Sequence, residues 1–205
     1  MRMVDRKLLD RVTKGLLGYE KSIEETDEHY DELKRLGRYI ADAPYGLKHI
    51  LPLWIHLLEE EGVNCEGLRQ EYERITQRLE ALEQKRGQDY REKLFTLLKD
   101  EVYCYPATIR YFADQEPFEL EIPNDFATRS SLEILLMELE RDHDLTEIKK
   151  EVSLLDEEFK SKYLQHIDEV IECCSDAVDP YLPDRFWWEH PHKLLKEKQA
   201  MQNNP

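Results

Sequence analysis

Residues 9–40 read LDRVTKGLLGYEKSIEETDEHYDELKRLGRYI, and one stripe runs through them. Leu9, Val12, Leu16, Tyr19, Ile23, Thr26, Tyr30, Leu33, Gly37 and Ile40 follow one another at alternating steps of three and four, with charges crowded between them. All but Thr26 and Gly37 are apolar or aromatic. A mean step of about 3.5 residues is the seam of a helix packed lengthwise on another helix. The stretch predicts an all-α protein, an elongated bundle with coiled-coil-like packing, whose first helix covers about residues 4–41.

Working outward, Asp42-Ala43-Pro44 ends that helix, because the residue before proline is pushed out of the helical region. A second helix over about 44–61 carries Leu47, Ile50, Leu51, Leu53, Trp54, Leu57 and Leu58 around most of its circumference, which predicts a buried helix with a kink at Pro52. Gly62 stops it and Asn64 caps the next. The third helix, over about 63–103, has a seam of Leu68, Tyr72, Ile75, Leu79 and Leu82. It slips near Gly87 like a stutter and resumes at Tyr90 and Leu94. Tyr105-Pro106 predicts its end, and residues 104–129 read as irregular, with Phe118 to Ile122 extended. Ser130 with Glu133 has the form of a capping box opening a short helix, and Asp144 with Glu147 opens a long one over about 145–178. The expected architecture is therefore three long helices with two or three short ones. They form one domain over 1–178, followed by an aromatic anchor and a polar, fraying tail over 179–205. No long repeat of sequence is visible.

The chain of 205 residues carries 36% charged residues, well above the roughly 25% of an average domain and suited to thin helical bundles. Its net charge of −16 opposes direct binding to nucleic acid or to an anionic membrane, and suits a basic protein partner. Cys65, Cys104, Cys173 and Cys174 have no disulfide or Cys-x-x-Cys spacing. The first residues have no apolar signal-peptide core, and no stretch is long and apolar enough to span a bilayer. These features predict a reduced, cytoplasmic protein.

Four groups of side chains are candidates for chemistry or contact. On a helix, Glu24, Asp27, Glu28 and Asp31 share one face, and Asp27-x-x-x-Asp31 is the kind of pair that presents Mg²⁺ to a phosphorylated substrate. Helical prenyl synthases and helical nucleotide pyrophosphohydrolases use such pairs with a second acidic pair opposite. Here Glu138, Glu140, Asp142 and Asp144 are available at no matching spacing. The competing reading is a solvated acidic face. In the second group, His56 and Glu60 suit two ligands on one helical face, with His49 in the same stripe, while Glu140-x-x-His143 has the spacing of di-iron bundles but lacks their second pair. The competing reading holds His49 and His56 by hydrogen bonds within a buried helix. Arg185-x-x-x-x-His190 fits the loose Arg-to-His spacing of helical HEPN-type ribonucleases, yet 14 arginines and 7 histidines make one chance match expected, and Pro191 follows at once. The fourth group is aromatic: Tyr103, Tyr105, Arg110, Tyr111 and Phe112 beside the irregular segment, and Phe186, Trp187 and Trp188 near the end, all of types favoured at protein interfaces.

No phosphate loop, nucleophile elbow or zinc-finger spacing is present. The reading that follows is a non-enzymatic interaction or scaffold protein without a cofactor, able to self-associate as a homodimer through its seams. The alternative is a hydrolase or transferase dependent on Mg²⁺ or another divalent cation. A third is an acidic decoy that mimics nucleic-acid charge.

Overall fold

The computed structural model describes residues 3–28, 42–112, 122–174 and 179–203; side chains at 3–5, 42, 43, 122–125, 173, 174 and 201–203 lie outside that description. Among these residues eight α-helices follow in order: α1 (Met3–Glu28), α2 (Asp42–Glu60), α3 (Glu66–Arg86), α4 (Gln88–Tyr111), α5 (Ile122–Leu139), α6 (Thr146–Gln165), α7 (Ile167–Cys174) and α8 (Pro191–Asn203). One 3₁₀ turn (Trp187–Glu189) precedes α8, and there is no strand among the described residues. The protein is all-α, as its periodicity predicts.

The helices differ from expectation at identifiable points. The slip near Gly87 is a break: Gly87 takes φ +66°, a left-handed conformation that costs glycine little, and its N–H closes α3 on the Glu83 carbonyl. The last long helix breaks at His166, whose N–H bonds the Lys162 carbonyl. Pro106 does not end α4. It is exposed, while Val102, Tyr105, Ile109 and Phe112 are buried and hold the helix through to Tyr111. Ser130 lies inside α5 and caps nothing. Much of the polar tail is helical, in α8. Asp31 and residues 29–41 of the first stripe lie outside the described residues, as do 113–121.

The chain divides into two compact units, residues 1–97 and 98–205, with the boundary inside α4. In the first, Leu8, Val12, Leu16, Tyr19 and Ile23 form the buried stripe of α1, on the seam expected from sequence apart from its first member. Gly15 would carry a Cβ 2.8 Å from Leu51 Cδ2, and Gly18 approaches Leu47, so α2 runs antiparallel to α1 at close range. Tyr19 meets Tyr72 and Thr76, and Asp27 meets Lys85, so α3 runs parallel to α1. The result is an up-down-up three-helix bundle. Gly15→Val is expected to cost about 1–3 kcal/mol by overpacking against Leu51 and Trp54. Urea denaturation measures this, and an unchanged midpoint would contradict the close approach.

α2 is less buried than its composition predicts. Tyr45, Leu51, Trp54, Ile55 and Leu58 are buried, but Leu47, Ile50, Leu53 and Leu57 are partly exposed, and His56 is exposed. The helix that is buried almost all round is α5, from Ser131 to Leu136 and again at Glu138 and Leu139.

The second unit repeats the arrangement of the first. α5 runs antiparallel to α4 (Phe112 on Phe126, Thr108 to Thr128), and α6 runs parallel to α4 (Tyr105 to Asp156, Arg110 to Lys162). The correspondence holds residue by residue. Leu8, Val12, Leu16, Tyr19 and Ile23 are matched in spacing by the buried Leu94, Leu98, Val102, Tyr105 and Ile109. Tyr45, Leu51, Trp54, Ile55 and Leu58 are matched by Phe126, Leu132, Leu135, Leu136 and Leu139. Asn64 accepts a bond from the Glu66 N–H, and Asp144 from the Thr146 N–H. The Glu59–Arg69 ion pair has its counterpart in Glu140–Lys149. Tyr19 OH reaches Thr76, and Tyr105 OH reaches Asp156, 80 residues further along than Thr76. The second unit thus repeats the helix order, directions and burial spacing of the first, although the sequence shows no long repeat.

After α7 the chain returns onto the second unit. Phe186 and Trp188 are almost wholly buried, Tyr163 OH donates to the Trp188 carbonyl (2.7 Å), and Trp187 packs on Phe159 and Tyr163. Two adjacent tryptophans left exposed would be an association hazard, and docking removes it.

Candidate functional site

The acidic cluster of α1 faces cations. Glu20 meets Arg74 (2.8 Å) and Arg78, Glu24 meets Arg78 (3.0 Å), and Asp27 meets Lys85 (3.0 Å) and Arg86 (2.8 Å). These side chains form an ion-pair ladder between the parallel α1 and α3. Glu28 is exposed, and with Glu24, Asp27, Arg78 and Lys85 it lines a groove of about 490 Å³. Hydrogen bonds from Lys85 and then Arg86 hold the Asp27 carboxyl below its usual pKa, and Arg74 does the same for Glu20. A carboxyl whose folded pKa is depressed stabilises fully above its unfolded value, about pH 4, and loses that contribution as pH falls through the folded value. The first unit is therefore expected to lose stability from about pH 4 downwards, less steeply in high salt because the pairs are exposed. Thermal denaturation against pH checks this, with Asp27→Asn expected to flatten the slope; an identical slope in that variant would contradict the ladder's role.

The histidine candidates are distributed apart. His56 Nε2 lies 3.6 Å from Glu60 Oε1 with both side chains exposed, a surface helical pair and not a buried one. Glu140 bonds Lys149 (2.8 Å), which holds its carboxyl below the usual range, and His143 follows it in the turn after α5. No three His, Cys, Asp or Glu side chains converge as metal ligands would among the described residues. Arg185 and His190 line different cavities.

The aromatic candidates separate by burial. Tyr105, Phe112, Phe186 and Trp188 are core, and Trp187 is partly covered. Tyr103 is 86% exposed and Tyr111 65%, with Arg110 exposed beside them on the outer face of α4.

A further cluster was not apparent in the sequence. Arg129 on α5 is buried (side chain 5% exposed) and clamps Asp156 in bidentate fashion, Nε to Oδ1 at 2.7 Å and Nη2 to Oδ2 at 2.9 Å. Nη2 also donates to Glu133 Oε2 at 3.0 Å, and Arg185 Nε reaches the other Glu133 oxygen at 3.0 Å. The guanidinium lies 4.4 Å from the centre of the Trp188 ring, whose Nε1 donates to Ser130. Tyr105 OH donates to Asp156 at 2.7 Å; burial, with Asp156 adding to it, pushes the Tyr105 pKa well up. Burial pulls the Arg129 pKa down, and Asp156 and Glu133 more than offset it. Arg129 Nη1 is buried and has no hydrogen-bond acceptor among the described residues. A cleft of about 250 Å³ opens here, lined by Arg129, Glu133, Val152, Asp156 and Arg185 among others.

Buried ion pairs gain little net stability, because desolvation consumes most of the attraction. The signal available in the sequence was the apolar run around Leu132, Ile134, Leu135 and Leu136: charges on a helix buried nearly all round must be buried with it. No protein-family model, curated protein or solved structure matches this chain.

Proposed function

We propose that the protein is a non-enzymatic interaction protein that docks a basic protein surface on the outer face of α4. The observation that carries this reading is the exposure of Tyr103 and Tyr111, with Arg110 between them on one helix. Tyrosine and arginine are the types that anchor interfaces, and two large aromatics held outward on a rigid helix lose little entropy when covered. The net charge of −16 supplies complementarity and steering toward a basic partner.

The test is affinity capture on immobilised wild type and on Tyr103→Ala/Tyr111→Ala, at low and high salt. Both side chains are exposed, so the double variant should fold. The expected result is a basic protein retained by wild type, released by salt and lost with the double variant. Equal capture by both chains would overturn the docking face. Light scattering that shows a wild-type dimer dissolved by the double variant would replace the basic partner with a second copy of this chain.

A further inference from the structure

The parallel helices α4 and α6 leave a seam on the outside of the second unit. Tyr105 OH bonds Asp156 and Lys162 Nζ bonds the Arg110 carbonyl, so the two helices lie side by side. Two residues before the first of these contacts stand Tyr103 on α4 and Leu154 on α6, 86% and 61% exposed. The first unit is built differently at this level. Two residues before its own Tyr19–Thr76 contact, α3 carries Arg74, which reaches across to α1 and bonds Glu20 (2.8 Å) as a rung of the ion-pair ladder. Leu154 takes the place of Arg74 in this spacing and faces α4 as Arg74 faces α1. A charged rung that closes the seam in one unit is replaced by an exposed apolar side chain in the other.

Glu147, Glu151, Leu154 and Glu158 follow at steps of four, three and four, so they share one stripe of α6. All four are exposed, and the three carboxylates enter no ion pair among the described residues. Across the seam α4 presents Tyr103, Pro106 and Arg110, also exposed. Exposed apolar side chains flanked by unpaired acids are complemented by an apolar face edged with bases. We infer that the seam between α4 and α6 seats a basic amphipathic helix of a partner protein, with its apolar face on Tyr103 and Leu154 and its basic edge along Glu147, Glu151 and Glu158. This rests on the α4 docking face proposed above and adds to it a second wall and the form of the partner. From Glu147 to Glu158 the stripe is about 16 Å long, so about three turns of a partner helix span it. Such a helix lying in a groove between two others is a recurring mode of recognition. A second copy of this chain is disfavoured, since two chains of net charge −16 repel one another.

Fluorescence anisotropy of the full chain tests the inference with three labelled synthetic peptides of about 16 residues, long enough to hold a helix. One carries leucine along one helical face and lysine elsewhere. The second has the same composition in an order without an apolar face, and the third has glutamate for lysine. The first is expected to bind saturably, about tenfold or more tighter than the other two. Leu154→Gln is expected to weaken it about tenfold, and Glu151→Gln/Glu158→Gln to weaken it and flatten its salt dependence. These positions are exposed, so the variants keep the fold. Wild-type affinity in Leu154→Gln, with binding lost in Tyr103→Ala/Tyr111→Ala, would overturn the inference and leave the α4 face standing. Wild-type affinity in the tyrosine variant would overturn both. Equal binding of the first two peptides, no saturation by the first, or a wild-type dimer dissolved by Leu154→Gln would each overturn the inference.

Discussion

Trp188→Ala is expected to destabilise the second unit by about 3–5 kcal/mol. The indole is wholly buried, stacks edge-on against Phe186 and Trp187, lies under the Arg129 guanidinium and donates to Ser130. Its loss leaves a cavity and removes the cation–π contact that helps Arg129 tolerate burial. Urea denaturation followed by far-UV circular dichroism measures the cost. Hydrogen exchange should show the loss of protection in α5 and α6. A change under about 1 kcal/mol would mean that the C-terminal segment is not part of this core.

Arg129→Met is expected to cost about 3–5 kcal/mol as well, for a different reason. It leaves the Asp156 and Glu133 carboxylates without their shared cation, with Tyr105 OH as a donor to the first and Arg185 to the second. Combining it with Asp156→Leu and Glu133→Leu is expected to recover most of that loss, since a buried ionic cluster replaced whole by apolar side chains is often neutral or stabilising. Recovery would show that the cluster is not there for stability. A triple variant as unstable as the single one would assign it a structural role.

The parts of this fold that could be read from sequence were those where one local signal decides. The α1 stripe is such a case, as are Asn64 and Asp144 ahead of their helices. Pro106 misled because a local rule was applied where Val102, Tyr105, Ile109 and Phe112 outweigh it. The repeated arrangement stayed hidden because the two units share burial and not identity: Leu16 answers to Val102, Tyr45 to Phe126 and Trp54 to Leu135. Arg129 is one of 14 arginines, and nothing in its immediate neighbours marks it out until the bundle encloses it. Exposure at Tyr103 and Tyr111 was equally illegible, since a tyrosine in an amphipathic helix is as often core as surface.

α4 crosses the boundary between the units: Tyr90 near its start packs on Tyr45 of the first, while Leu98, Val102 and Tyr105 lie in the second. Severing the chain between Leu97 and Leu98 would cut through a continuous helix, so isolated halves need overlapping ends that each retain α4 whole. The same arrangement is a recipe for concatenation: a helix that starts within one unit and finishes within the next can join further blocks one at a time.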